Sequence, residues 1–219
     1  MTNPADPQLR KDFLAAMGRV AATVTVVTTD GPAGWAGATV TAMSSVSADS
    51  TRPTLLVCVN AQGPSAAAIK TNAVFCVNVL AEDQTYIADG FANRFKTSGG
   101  DKFFSGSWSK LSTGAPFLDD AVAAFECRLV ASPQIGTHFV FVGEVEAIHG
   151  APDRNPLIYV QRGYGRAVRL DAAGPALETE SQQATAGARK GFRFKDAAIG
   201  AGAMLMLALA GIALRQWLI

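Results

Sequence analysis

From Val20 the chain takes up a two-residue period: Val20, Ala22, Val24 and Val26 alternate with Ala21, Thr23 and Thr25 until Asp30, Gly31 and Pro32 impose a turn. A run this rich in β-branched residues is stiff at χ1 and suits a pleated surface, so it predicts a strand and a hairpin. Comparable runs follow at residues 34–41, 54–60, 74–80, 121–131, 137–148 and 157–160. Six or seven strands with few helices between them would leave unpaired edges prone to aggregation, and closing the sheet removes those edges. The expected fold is therefore mainly β, an antiparallel β-barrel with short helical inserts.

Three helices are expected within residues 1–170, besides a hydrophobic C-terminal one. Residues 8–17 place Leu9, Phe13, Leu14 and Met17 on one helical face as an amphipathic lead-in. A short alanine-rich helix is expected at 65–70. Another is expected at 82–91, with Tyr86, Ile87 and Phe91 toward the core. No internal repeat is visible.

A chain of 219 residues, 49% hydrophobic and 17% charged, suits one globular domain with an appendage. The domain is expected over residues 1–170. Residues 171–188 are mostly small and polar without apolar periodicity, which reads as a flexible linker. In 189–219, Arg189, Lys190, Arg193 and Lys195 precede an uncharged run at 197–214, then Arg215 and Trp217. As a helix that run spans about 27 Å, close to a hydrocarbon core, with Arg215 snorkelling and Trp217 at the headgroups. The basic cluster would stay cytoplasmic. The expectation is a cytoplasmic domain tethered to a membrane by residues 197–219; a helix packed on protein is the alternative. The first ten residues lack the basic-then-apolar profile of a signal peptide.

A net charge of +1 supplies no field for nucleic acid, which is not expected as a partner. Cys58, Cys76 and Cys127 each sit in an apolar run without metal-ligand spacing, so they read as buried small hydrophobes and no metal site is expected. No Gly-x-Gly-x-x-Gly turn opens a strand–helix unit, which excludes a Rossmann-type nicotinamide site.

The segment from Thr39 to Ser47 carries five hydroxyls in nine residues directly after a strand. Hydroxyls and backbone N–H groups in an irregular turn hold a phosphate without much net charge. Followed by Pro53-Thr54-Leu55-Leu56-Val57-Cys58-Val59-Asn60, Ser65 and Phe75-Cys76-Val77-Asn78-Val79-Leu80, this segment resembles the flavin reductase family of two-component monooxygenases. Gly100-Asp101-Lys102-Phe103, the block from Gly136 to Val145 containing His138, and Pro156-Leu157-Ile158-Tyr159 leading to Arg162-Gly163-Tyr164-Gly165 match in the same order. The resemblance covers about residues 10–170.

It implies an FMN-binding split barrel that forms a homodimer and reduces FMN or FAD with NADH or NADPH, passing reduced flavin to a partner monooxygenase. An alternative within the same fold is an electron relay or sensor that retains flavin or haem. By the resemblance, Thr41, Ala42, Ser44, Ser45 and Ser47 line the flavin, and Asn60 and Ser65 add polar contacts. Asp101, Lys102 and Phe103 close the site from a loop. His138 lies beside flavin and nicotinamide, and Tyr164 borders the nicotinamide. Arg162 reads equally as a phosphate ligand or the partner of a neighbouring acid. His149 has no counterpart in the resemblance and reads as a surface residue. Arg52-Pro53 stands where the family has a proline pair, which leaves FMN against FAD open.

Overall fold

The computed structural model describes residues 6–95, 101–151 and 153–170. Helix α1 (Pro7–Met17) begins where Asp6 caps the Gln8 N–H at 2.9 Å and Pro7 occupies the first turn. Short β1 (Ala22–Thr23) precedes β2 (Thr25–Thr29), β3 (Ala36–Val40), β4 (Met43–Ser47) and β5 (Thr54–Asn60). Next come α2 (Pro64–Asn72), β6 (Val74–Val79) and α3 (Thr85–Phe91). A short 3-10 turn (Lys102–Ser105) then leads to strands β7 (Trp108–Ser109), β8 (Phe117–Leu118), β9 (Ala123–Ala131), β10 (Gln134–Ile135), β11 (His138–His149), β12 (Leu157–Val160) and β13 (Gly163–Arg166).

The main sheet runs β3-β2-β6-β9-β11-β5-β4, antiparallel at every pairing, with β10 added to β11. Its two end strands, β3 and β4, are consecutive in the chain and separated only by Thr41 and Ala42. Two residues cannot span a flat seven-strand sheet, whose strands lie about 4.8 Å apart. The sheet therefore curls until its edges meet at Thr41-Ala42. This is a split barrel with its seam between β3 and β4.

Strands β2 and β6 are buried along their whole length, which one alternating apolar face does not explain. Two cores account for it. Val26 and Cys76 join Leu80, Ile87, Phe91 and Leu118 in one, whereas Val27, Phe75 and Val77 join Val57, Ile69 and Phe141 in the other. Successive residues point to opposite faces, so both faces of these central strands are covered. Asn78 on β6 donates to Val26 O at 3.0 Å and accepts from the Leu118 N–H at 2.7 Å, which satisfies its buried amide and locks β8 to the barrel.

Several expectations are corrected. Residues 43–47 form a strand, not a turn, because the chain re-enters the sheet after crossing the seam and pairs Met43 with Val57 and Ser44 with Leu56. An edge strand with one open face tolerates the hydroxyls that suggested a turn. Helix α3 starts at Thr85 instead of 82, since buried Gln84 turns back to accept from the Ala81 N–H at 2.8 Å. Ile87 and Phe91 are buried as expected, but Tyr86 is exposed. Helix α1 buries none of its residues, so Leu9, Phe13, Leu14 and Met17 are all exposed. His149 is not a free surface residue: its Nε2 lies 3.1 Å from Oε1 of fully buried Glu126, and its ring stacks on Phe117. Among the described residues no helix is long and apolar enough to cross a membrane. The expected linker at 171–188 and the hydrophobic helix and membrane anchor within 189–219 lie outside the described residues.

Candidate active site

A cleft of about 690 Å³ opens in the barrel seam. Its first group of lining residues comes from β3 and the crossing (Gly37 to Ala42), the end of β5 (Cys58, Val59 and Asn60) and the start of α2 (Gly63, Pro64 and Ser65). His138 opens β11 directly across the ladder from Asn60. The second group is Phe91 to Arg94 after α3, then Lys102, Tyr159 and Tyr164.

Strand β3 is fastened to both helices. The Ser65 hydroxyl donates to Gly37 O at 2.7 Å, and the Thr39 hydroxyl donates to Ala88 O at 2.6 Å. Asn60 turns its side-chain oxygen to the Gln62 N–H at 2.9 Å, shaping the bend that delivers the chain to α2. Gly63 caps α2 with no side-chain hydrogen bond; its own N–H is bonded to Asn60 O, Pro64 has none and the Ala66 N–H is bonded to Gly63 O, so the Ser65 N–H remains as a first-turn donor at the cleft. Thr41 and Ala42 are exposed at the seam. His138 is exposed as well, with Nδ1 2.9 Å from the Thr137 hydroxyl.

The tyrosines come from one hairpin. Gln161 and Arg162 both have positive φ, 52° and 61°, the backbone of a two-residue type I′ turn. That turn sets Tyr159 opposite Tyr164, with ring centroids 5.6 Å apart. Tyr164 donates its hydroxyl to Asp89 Oδ1 at 2.6 Å; burial and then this bond push its pKa up to about 12. Arg94 donates to the same Asp89 oxygen at 2.9 Å and lies over both tyrosine rings. Burial lowers the pKa of Lys102, whose Nζ is 3.4 Å from Phe91 O.

Of the residues expected at the site, the structure brings together Thr41, Ala42, Asn60, Ser65, Lys102, His138 and Tyr164. Ser44 and Ser45 are exposed on β4, and Ser47 is half-buried there; none of the three lines the cleft. Asp101 accepts from the Phe103 N–H at 2.9 Å, capping the short turn that carries Lys102. Phe103 packs edge-on against Trp35, Phe91 and Trp108 instead of entering the cleft. These two residues hold Lys102 in place. Arg162 is exposed. Sequence reasoning missed Arg94, Tyr159 and Gly37. Tyr159 stood within a quoted motif without being given a role, and Arg94 reaches the cleft only through the placement of α3. Half-buried Cys58 also lines the cleft, whereas Cys76 and Cys127 are buried as expected.

A curled antiparallel sheet left open along one seam, with a cleft of this size inside the opening, defines a split-barrel binding protein. Residues 17–167 match the family described as "Flavin reductase like domain". The chain belongs to the flavin reductase family. Over 155 residues it is 43% identical to the protein named FMN reductase (NADH) RutF of Ancylobacter novellus, covering 71% of this chain and 83% of that one. Among solved structures it is similar to the Streptomyces globisporus NADH:FAD oxidoreductase SgcE6 in complex with NAD and FAD fragments. That similarity has a TM-score of 0.66 and 28% identity, covering 76% and 98% of the two chains. It is also similar to BorF, the flavin reductase component of a bacterial two-component tryptophan halogenase. There the TM-score is 0.64 and the identity 30%, covering 72% of this chain and 97% of BorF.

Proposed function

We propose that the protein is an NAD(P)H:flavin oxidoreductase that takes FMN as its flavin and NADH as its donor, and hands reduced flavin to a separate acceptor such as an oxygenase. The observation that carries this reading is the seam cleft, where Thr41, Asn60, Ser65, Lys102, His138 and Tyr164 converge from six separate parts of the chain. The names of the relatives support the choice of FMN and NADH, and BorF illustrates service to a partner enzyme.

The residues present fit a flavin. Val40, Ala42 and Val59 offer apolar surface for a flat ring, and Thr41 and Asn60 offer hydrogen-bonding groups for its polar edge. At the amino end of α2 the Ser65 N–H, with no acidic residue in the first turn, offers a backbone donor to a phosphate. Bound flavin supplies the ring that accepts hydride from the nicotinamide. The chain's own work is to hold both rings in register and keep water out, which needs no protein acid or base in the slow step. Ser65 fixes β3 through Gly37 O, which keeps the floor of the cleft rigid. Lys102, kept partly dry by its loop, offers a cation to an anionic group. His138 stands at the rim as a hydrogen-bond donor for the electron-rich ring, and Tyr164, neutral at working pH, borders the donor.

The reading includes a homodimer, supported by exposed Val46, Val130, Ile135 and Ile148 on strands β4, β9, β10 and β11, and a cytoplasmic domain tethered through residues 197–219. Stopped-flow absorbance of NADH oxidation by the purified protein, with FMN and FAD supplied in turn, tests the activity. Rapid oxidation that requires added flavin is expected; a rate no faster than NADH and flavin mixed without protein rejects it. Partition of the full chain into membranes, lost when it is cut after Ala188, tests the tether.

A further inference from the structure

Where no glycine-rich strand–helix turn is present, a cationic side chain is an effective partner for a dinucleotide's diphosphate. Arg94 and Lys102 are the two lysine or arginine residues among the described ones lining the cleft. Lys102 directs its ammonium to the carbonyl of Phe91, the last residue of α3. Arg94 is different, because its side chain is 48% exposed yet fixed at several points. One terminal nitrogen donates to Asp89 at 2.9 Å and lies 3.4 Å from the Tyr164 hydroxyl; the other lies 3.4 Å from the Tyr159 hydroxyl. Its guanidinium carbon sits 5.7 and 5.4 Å from the two ring centroids.

We infer that Arg94, clamped by Asp89, Tyr159 and Tyr164, is the diphosphate anchor for the nicotinamide dinucleotide and sets the enzyme's preference for that donor over a bare dihydronicotinamide. The inference rests on the flavin reductase reading. Half of the side chain faces solvent at the cleft, and a guanidinium has five N–H donors, so the fork retains donors for an anion beyond those used on Asp89 and the tyrosines. A free surface arginine would lose rotamer freedom on binding; this one is already ordered, so little further entropy is lost. Its bonds to Tyr159 and Asp89 hold the charge firmly on the guanidinium. The position also separates two anions: the flavin phosphate goes to the start of α2, while Arg94 stands with Tyr164, the residue proposed to border the donor. Asp89 is a positioning residue, acting through Tyr164 and Arg94.

The test is steady-state kinetics on the full chain with FMN, comparing NADH with 1-benzyl-1,4-dihydronicotinamide, which carries the reacting ring but no phosphate. In Arg94→Ala the ratio of kcat/KM for NADH to that for the analogue should fall about tenfold, the effect of one charge-assisted hydrogen bond. The loss should appear in KM for NADH. Arg94→Gln preserves packing over the tyrosines and should show the same fall even if the alanine variant folds poorly; Arg94→Lys should fall less. A ratio equal to that of the unmodified chain, or equal losses with both donors, overturns the anchor. An unmodified chain that oxidises neither donor with FMN overturns the flavin reductase reading itself, a result distinct from either.

Discussion

Glu126 and His149 form a closed pair on neighbouring strands: Glu126 is fully buried, and its Oε1 lies 3.1 Å from His149 Nε2. The other carboxylate oxygen accepts from the Thr113 N–H and hydroxyl, both at 2.8 Å, and from the Ser112 hydroxyl at 3.2 Å. The pair therefore clips the 112–118 segment to β9 and β11, and Phe117 stacks on the histidine ring at 4.5 Å.

Breaking this clip should cost stability without touching the cleft. Glu126→Ala orphans several donors at once and should lower unfolding free energy by about 3 kcal/mol. His149→Ala removes one partner and should cost about 2 kcal/mol. Urea denaturation followed by tryptophan fluorescence measures both. Losses below about 0.5 kcal/mol, the usual range for surface substitutions, would mean that the clip contributes nothing measurable.

Gly37 is where the fold and the cleft constrain the same atom. A Cβ there would stand 2.5 Å from Phe91 Cε1, and Phe91 cannot swing aside because Phe103 and Trp108 pack on its ring. Gly37→Ala should cost about 1–3 kcal/mol by overpacking and weaken flavin binding, since both residues line the cleft. Thermal unfolding with and without FMN separates the two effects: the melting temperature should drop, and the rise produced by FMN should shrink. A variant with both quantities unchanged would show that Phe91 repacks freely.

Much of the barrel was legible because its strands obey a local rule. The run at 54–60 coincides with β5, and 157–160 coincides with β12, since each is a short continuous apolar run opened after a proline, Pro53 and Pro156. Residues 43–47 defeated that rule: Ser44 and Ser45 signal a turn locally, and only pairing with distant Leu55 and Leu56 makes them a strand. The two-residue strands β7, β8 and β10 are too short to show a period, and Gly163 and Gly165 blank two of the four positions of β13. The cleft was partly legible through motif residues such as Asn60 and His138. Arg94 was not, because its role depends on Tyr159 and Tyr164, 65 and 70 residues away. His149 was misread for a similar reason: its buried partner lies 23 residues earlier on another strand.

Tyr164 should leave a signature at high pH. Its pKa is raised from the ordinary 10 to about 12, so below pH 10 both folded and unfolded chains keep the proton and the favourable contribution is complete. Between pH 10 and 12 the unfolded chain loses its proton while the folded one holds it. Stability therefore falls across that window. Phenylalanine does not titrate, so Tyr164→Phe should decline less steeply there. Urea midpoints at pH 8, 10 and 11 for the two proteins measure the difference; parallel declines would rule out Tyr164 as the source.

The hydroxyl-rich segment divides at the seam, and the two halves should respond differently to substitution. Thr41 lines the cleft, whereas Ser44 and Ser45 are exposed on the edge strand β4. If flavin lies in the cleft of one copy, Thr41→Val should weaken FMN binding by about two- to tenfold, the value of one net hydrogen bond, and Ser44→Ala with Ser45→Ala should have a smaller effect. Quenching of flavin fluorescence on titration gives the dissociation constants. A loss at the serines equal to that at Thr41 would instead mean that β4 of a second copy completes the flavin site. Dilution would decide that case, because a site shared between copies weakens as the dimer dissociates, whereas a site built by one chain does not.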